Sequence, residues 1–309
     1  MAMLNLTLRQ LHTILVVDRL GQITLAAREI GLTPPAITLQ IQQAESIVET
    51  ALFERTADGF RATDAGRAVI SAANDIERRV AVLEDDIAAI RGAGMGRLRL
   101  GAVSTAKYFV PRLMAGFAEE SPGIKVSLTI GNRAAIIEAL NEQQIDVALM
   151  GRPNRQTPVE STLLGDHPLV IIASPDHPLA GQSEITKQQI ADEHFFVRET
   201  GSGTRTSLEL YLNDIPGRLD NLGTQFSSNE TIKQAVMAGM GIAFISAHTI
   251  ALEVEIGRLI VLDVADTPVL RHWFTVRRSD RARSPAMDAF ESYVRRRGRD
   301  FLPAVTIPA

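Results

Sequence analysis

Seven apolar residues between positions 64 and 91, namely Val69, Ala73, Ile76, Val80, Leu83, Ile87 and Ile90, recur at alternating spacings of 4 and 3. That heptad rhythm sets all of them along one stripe of a single helix. Such a helix reaches roughly 40 Å at 1.5 Å per residue, farther than a small N-terminal domain can cover. The stripe therefore predicts a linker helix over 66–91 whose seam is closed by a second copy of the chain. The alternative is a long helix packed on its own chain.

The residues before the seam form a compact pattern of their own. Apolar spacing predicts short helices at 8–20 and 24–30, stopped by Gly21 and Gly31. The next stretch, LTPPAITLQIQQAE, carries two prolines and no positive charge. With Thr33 as N-cap, Pro34 and Pro35 fall on the first helical positions, where backbone N–H groups lack an intrahelical acceptor anyway, so the prolines start a helix. Ile37, Ile41, Ala44 and Val48 then share a buried face. Pro35, Leu39, Gln42, Gln43 and Ser46 point the other way, flanked by Thr38 and Gln40. LFER and FRAT follow as a hairpin around Ala57, Asp58 and Gly59.

Three helices and a hairpin within about 65 residues are the layout of a winged helix-turn-helix, whose third helix enters a DNA major groove. Glutamine amides bond adenine edges in pairs, and Leu39 or the Thr38 methyl meets thymine methyls, so the uncharged face suits sequence reading. The candidate DNA contacts are Thr24, Thr33, Pro34, Pro35, Thr38, Leu39, Gln42 and Gln43, with Arg55 and Arg61 in the wing. Residues 1–66 hold five arginines, no lysine and seven acids, a net −2. One copy should bind DNA weakly, because neutralising phosphates supplies most non-specific affinity, and pairing through the seam would compensate by avidity. The competing reading is a winged helix that binds protein.

The 309 residues allow two or three domains, and a 45% hydrophobic content supplies their cores. The absence of cysteine excludes disulfides and thiolate metal sites. Neither a leader-like N-terminus nor a run of about 18 apolar residues occurs, so a cytoplasmic chain without a membrane segment is expected. GAGMGR after the long helix reads as a hinge. It is no dinucleotide fingerprint, since it follows a helix and has the wrong spacing.

The order AAREIGLTPPAITLQIQQAE, ALFER, RATDAG, a long helix and RLRLGAV resembles the LysR-type transcriptional regulators over essentially the whole chain. That family often has Ser-Gln-Pro at Thr33–Pro35, Ser at Thr38, a basic residue at Leu39, Leu at Ala44 and Gly at Glu49. These departures leave the fold expectation intact but put any borrowed operator sequence in doubt. TPPAITLQ, VSTAKYFVP and RETGSGTR are similar to members that regulate Calvin-cycle carbon-fixation operons. The resemblance implies double-stranded operator DNA and a small effector as partners, a dimer or tetramer, no cofactor, and no catalysis. Phosphorylated sugars or acids and nicotinamide nucleotides are the effectors it implies, all of them anions.

From residue 97 the texture is α/β. RLRLGAV, IKVSLTIG, DVALMG, LVIIAS, HFFVRE, TQFSS and GIAFIS read as buried strands, separated by helices at 106–120, 133–143, 204–214 and 229–239. This alternation predicts parallel sheets wrapped by helices. The resemblance divides 92–309 like a periplasmic binding protein: subdomain I at 97–167 and 269–309, subdomain II at 168–268, crossings near His167 and Pro268, and a ligand cleft between. The DNA-binding domain is then 1–65. Strand-to-helix turns, where open sheets bind ligands, carry the polar residues Ser104, Thr105, Asn132, Arg133, Arg198, Gly203, Thr204 and Asn229. Helix N-termini there attract anions and an arginine fork completes the site, whereas the alternative is plain helix capping and solvated arginines. RETGSGTR lacks the lysine of a phosphate loop.

Catalysis finds little support. The two Asp-His-Pro stretches at 166–168 and 176–178 read as turns, not metal sites, and Ser202 lacks the flanking glycines of a nucleophile elbow, with Thr200 and Thr204 in their places. Trp273 belongs to a strand, VLRHWFTV, returning to the first subdomain. The basic C-terminal stretch reads as a capping helix. A solute-binding protein would share the α/β part but not the winged helix, and an enzyme would need a clustered acid, base or nucleophile.

Overall fold

Thr7 opens the first helix with a reciprocal cap: its hydroxyl accepts from the Gln10 amide at 3.2 Å, and the Gln10 side chain accepts from the Thr7 amide at 2.9 Å. In the computed structural model this helix, α1, spans Leu8–Leu20, followed by α2 (Ile23–Ile30) and α3 (Pro34–Val48). Residues 5–56, 59–90, 96–152, 158–217, 222–281 and 283–307 are described, apart from the side chains at 78, 82, 85, 86 and 88–90. The wing tip Ala57 and Asp58, the Ile90 side chain, and Gly92 and Gly94 of the hinge lie outside the described residues. The chain forms two compact units, Met1–Ile87 and Ala88–Ala309.

In the first unit, Gly21 and Gly31 end α1 and α2 with φ of 65° and 73°. Pro34 and Pro35 occupy the first turn of α3 behind Thr33, whose side chain makes no capping bond. Helix α3 ends on Glu49 at φ 55°, a left-handed position that glycine adopts more readily. Strands β1 (Phe53–Thr56) and β2 (Gly59–Ala62) pair antiparallel. A Cβ on Gly59 would lie 2.2 Å from the Gly21 carbonyl oxygen, to which the Phe60 amide donates at 2.8 Å. Glycine at 59 is thus needed for close approach, and the wing is pinned to the end of α1. Ile14, Val17, Ala26, Ile37, Ile41, Ala44 and Leu52 fill the core between these elements.

Helix α4 spans Asp64–Ile90. Its heptad stripe is not uniform. Val69 packs on the core of its own unit and Ala73 is buried, whereas Ile76, Leu83 and Ile87 are exposed in the single chain. The first turns of the stripe therefore serve the domain itself.

The second unit contains β3 (Gly96–Val103), α5 (Val110–Glu120), β4 (Ile124–Gly131), α6 (Arg133–Asn141), β5 (Val147–Met150), β6 (Val159–Ala173), α7 (Lys187–Ala191) and β7 (Phe195–Arg198). It continues with α8 (Gly203–Tyr211), β8 (Thr224–Phe226), α9 (Asn229–Met237), β9 (Ile242–Ser246), α10 (Ala251–Glu255), β10 (Ile260–Val261), β11 (Val269–Arg278) and α11 (Pro285–Arg297). Among the described residues nine strands form one hydrogen-bonded sheet in the order β4-β3-β5-β11-β6-β9-β7-β8, with β10 on β6. Each end is parallel, as alternation predicts, but β6 and β11 run antiparallel through the middle. The expectation of purely parallel sheets is corrected by these two strands, which need no helical crossover because they pair directly along their length.

They also carry the chain between two cores. Leu164 and Trp273 belong to a core with Leu98, Phe109, Phe117 and Phe290. Leu169 and Val269 pack with Ile171, Phe195 and Phe244 in the other lobe. Asp166, His167 and Pro168 therefore lie inside β6 and not in a turn, a second correction. Strand β9 ends at Ser246, opposite Leu169, so no neighbour on that edge requires an N–H from Pro168. The predicted helix at 106–120 is broken too: a 3-10 turn covers Ser104–Tyr108 before α5 begins.

Candidate functional sites

Helix α3 buries Ile37, Ile41 and Ala44 and exposes Pro35, Leu39, Gln42 and Gln43. Some of its polar groups are already committed. The Thr38 hydroxyl donates to the Pro34 carbonyl at 3.1 Å, which leaves its methyl as the outward group. Gln40 accepts from Thr13 at 2.6 Å and so belongs to the scaffold. Glu45 accepts from the Leu52 and Phe53 amides at 2.8 and 3.4 Å, holding the turn into the wing. Its negative charge is spent on that turn. Arg55 lies over the Phe60 ring at 5.7 Å, Arg61 and Thr24 are exposed, and neither arginine has an ion-pair partner among the described residues. The result is an amide-rich helix face with a cationic wing beside it.

In the second unit a cleft of about 1000 Å³ opens between the two lobes, beside the crossing strands. Helix starts converge on it. Asn132 caps α6, its side chain accepting from the Ala135 amide at 3.0 Å, and Arg133 follows as the first helical residue. Ser202, not Gly203 or Thr204, is the N-cap of α8, and those two residues form its first turn and line the cleft. Ser104 and Thr105 enter from the 3-10 turn after β3. The structure thus brings Ser104, Thr105, Asn132, Arg133, Gly203 and Thr204 to one cleft. Arg152, on the loop after β5, and Arg271, on β11, line it as well, although no local sequence pattern marks either. The described lining contains three guanidiniums and no carboxylate. Burial lowers the pKa of Arg133, which has no ion-pair partner among the described residues. A half-buried cation without its own anion favours a ligand that supplies one.

Arg198 and Asn229 are not on this cleft. The Arg198 side chain is 1% exposed and makes four hydrogen bonds to its neighbours. It donates to both Glu199 carboxylate oxygens at 2.7 and 2.9 Å, to Asn229 Oδ1 at 2.6 Å and to Ser104 Oγ at 3.0 Å. Expected to pair with an effector, Arg198 is here committed to protein partners. Arg198 instead ties the lobes together through Ser104. A second tie lies nearby, where Lys107 and Tyr108 donate to Glu230 at 2.9 and 2.6 Å.

The floor of the cleft holds an aromatic stack. His167 lies 3.9 Å from Trp273, nearly parallel, and the Trp273 indole donates to His248 Nδ1 at 3.0 Å. Burial, aided by His248 and Arg271, pushes the His167 pKa down to about 3, and burial pushes His248 down to about 4 despite Asp166. Both are neutral when folded and protonate when unfolded below about pH 6.5. Their contribution is therefore whole above that pH and is lost as pH falls toward the folded values. While both unfolded rings bind a proton that the folded ones refuse, stability should drop by about 2.7 kcal/mol per pH unit. Denaturant unfolding of the protein at about pH 6 and pH 5 measures that slope. A flat profile would mean that these rings are hydrated.

Two family models cover the two units. Residues 8–67 match the family model of the bacterial regulatory helix-turn-helix protein, lysR family, and residues 91–299 match the LysR substrate binding domain. HTH-type transcriptional regulator CbbR of Sinorhizobium medicae (strain WSM419) is 56% identical over 306 residues, 99% of this chain and 98% of that one. RuBisCO operon transcriptional regulator of Allochromatium vinosum is 39% identical over 291 residues, 94% and 96% of the two chains. Among solved structures, the regulatory domain of CcmR from Synechocystis PCC6803 in complex with 2-PG is 35% identical with a TM-score of 0.61, covering 67% of this chain and 99% of that one. Among the described residues no helix is long and apolar enough to cross a membrane. With a helix-turn-helix in the first unit, an arginine-lined cleft in the second and both domain models matched, the chain belongs to the LysR family of DNA-binding transcriptional regulators.

Proposed function

We propose that this regulator acts in the cytoplasm on carbon-fixation genes and that a small, multiply charged anion in the cleft alters how it holds operator DNA. The observation that carries the reading is the cleft lining, with Arg133, Arg152 and Arg271 present and acids absent among its described residues. A phosphorylated acid or sugar suits it: its phosphate meets Arg133 and the first-turn amides of α6 and α8, and Ser104, Thr105 and Thr204 supply hydroxyls. The names of the relatives support the target genes, and 2-PG in the CcmR domain supports an anionic effector. DNA reading falls to Gln42, Gln43, Leu39 and the Thr38 methyl, with Pro34 and Pro35 setting the helix and Thr24, Thr33, Arg55 and Arg61 contacting the backbone. Ile76, Val80, Leu83, Ile87 and Ile90 form the seam of a dimer, two of which build a tetramer. The domains are 1–65, 66–91 and 92–309.

Calorimetry with 2-PG and gel-shift assays on an operator selected from random duplexes test both halves together. Thr105→Ala and Arg133→Gln should each lose at least tenfold in 2-PG affinity, about 1.4 kcal/mol, while binding the operator normally without ligand. Gln42→Ala should do the reverse, weakening the operator by about 1 to 3 kcal/mol while leaving random DNA and 2-PG unaffected. If 2-PG produces no heat, the same variants tested with other phosphorylated metabolites separate a wrong compound from a wrong cleft.

A further inference from the structure

On the other side of the Trp273–His248 hydrogen bond is a second cavity, of about 310 Å³, that shares no lining residue with the cleft. Asp166 and Pro168 of β6 form one wall, and His248 and Arg299 another. The C-terminal segment forms its remaining side, and the cavity stays open to solvent. Leu302 packs on the first lobe's core, while Val305 and Ile307 pack on the second lobe's, so the segment bridges the lobes and roofs the cavity with apolar side chains.

Three features indicate a binding site rather than a packing gap. The indole N–H can only donate, so His248 Nδ1 must be the acceptor and the ring proton must sit on Nε2. Trp273 does not line the cavity and His248 does, so the opposite edge of the ring, bearing Nε2–H, faces it. No protein acceptor among the described residues takes that proton. Next, Arg299 and Asp166 both line the cavity without pairing with each other; Arg299 has no ion-pair partner among the described residues, and Asp166, its side chain 79% exposed at the cavity mouth, meets only His272, at 3.7 Å. Finally, the volume is at the lower end of the range for small-molecule sites.

The geometry points to a second ligand site at this rear cavity, taking a small zwitterion with an apolar body, a branched aliphatic α-amino acid. Its carboxylate accepts from Arg299 and His248 Nε2–H, its ammonium donates to Asp166, and its side chain packs under Leu302, Val305 and Ile307. A simple anion would meet Asp166 unfavourably, and a simple cation would meet Arg299. A zwitterion satisfies both charges. Neither the identity of the cleft effector nor the operator enters this assignment.

Trp273 is the single tryptophan of the chain, so full-length protein grown with fluorotryptophan gives one fluorine resonance, one hydrogen bond away from the cavity. L-Leucine should shift it saturably. Isocaproate, which lacks the ammonium, and isoamylamine, which lacks the carboxylate, should each bind at least about tenfold more weakly. Arg299→Gln and Asp166→Asn, both at exposed side chains that folding tolerates, should weaken L-leucine by a similar factor. Arg133→Gln, in the cleft, should leave it unchanged. Absence of both a saturable shift and calorimetric heat with L-leucine overturns the site. So does isocaproate binding as tightly as leucine, or loss of binding in Arg133→Gln with retention in Arg299→Gln, which would put the ligand in the cleft.

Discussion

Arg198→Ala should unfold at a temperature lower by about 10 °C, reflecting a loss of roughly 3 to 5 kcal/mol, because it leaves a poorly hydrated carboxylate without its partner. Glu199 is 17% exposed and accepts two of the guanidinium's hydrogen bonds, and Asn229 Oδ1 and Ser104 Oγ lose theirs as well. Burial by itself would raise the Glu199 pKa, but the hydrogen bonds and charge of Arg198 bring it below the ordinary carboxylate range. That stabilisation is present above the unfolded pKa and disappears as pH falls through the lower folded one. In Arg198→Ala burial is opposed only by the backbone hydrogen bond and that of Asn132, so the acid side of the stability profile should shift upward. Arg198→Ala/Glu199→Ala should recover part of the loss, since no charge remains unpaired. Differential scanning calorimetry of the three proteins checks each step. If Arg198→Ala keeps its stability and loses effector binding instead, Arg198 is a ligand contact after all.

The difference between Arg133 and Arg198 explains how far the site could be read from sequence. Both lie at the carboxyl ends of strands, and both have the local pattern of an anion fork. Their fates depend on partners: Arg198 is claimed by the next residue and by two residues 31 and 94 positions away, whereas Arg133 has no ion-pair partner among the described residues. Local pattern cannot count such partners. Arg152 and Arg271 escaped for a related reason, since a loop and a crossing strand carry no helix-start signal, and only the sheet order brings them to the cleft. The first half of β6 was hidden by Pro168, a residue that marks turns everywhere except on an open strand edge. By contrast, the start of α3 is a matter of backbone donors within four residues, so Thr33, Pro34 and Pro35 declared it in the sequence.

The seam of α4 stands between these cases, and Leu83→Glu should have the largest effect on function. Heptad spacing identified the stripe, but it could not say which part the chain uses itself. Val69 and Ala73 are occupied within the first unit, so the part left for a partner begins at Ile76, and Leu83, 56% exposed, is near its middle. Two glutamates facing each other there would bury unpaired charge in the joined helices, and the seam should open. Each winged helix would remain intact, since Leu83 contributes nothing to the core of Ile14, Ile37 and Leu52. Binding to a two-fold operator would then lose its second foothold, and the apparent affinity should fall by about 10² to 10⁴ although no DNA-facing residue has changed. Binding of a half-site should stay as it was. Sedimentation velocity and gel-shift titrations on full and half operators test this together. A folded Leu83→Glu protein that remains dimeric and holds the full operator as before would place the contact between copies elsewhere, and the exposed stripe would need another occupant.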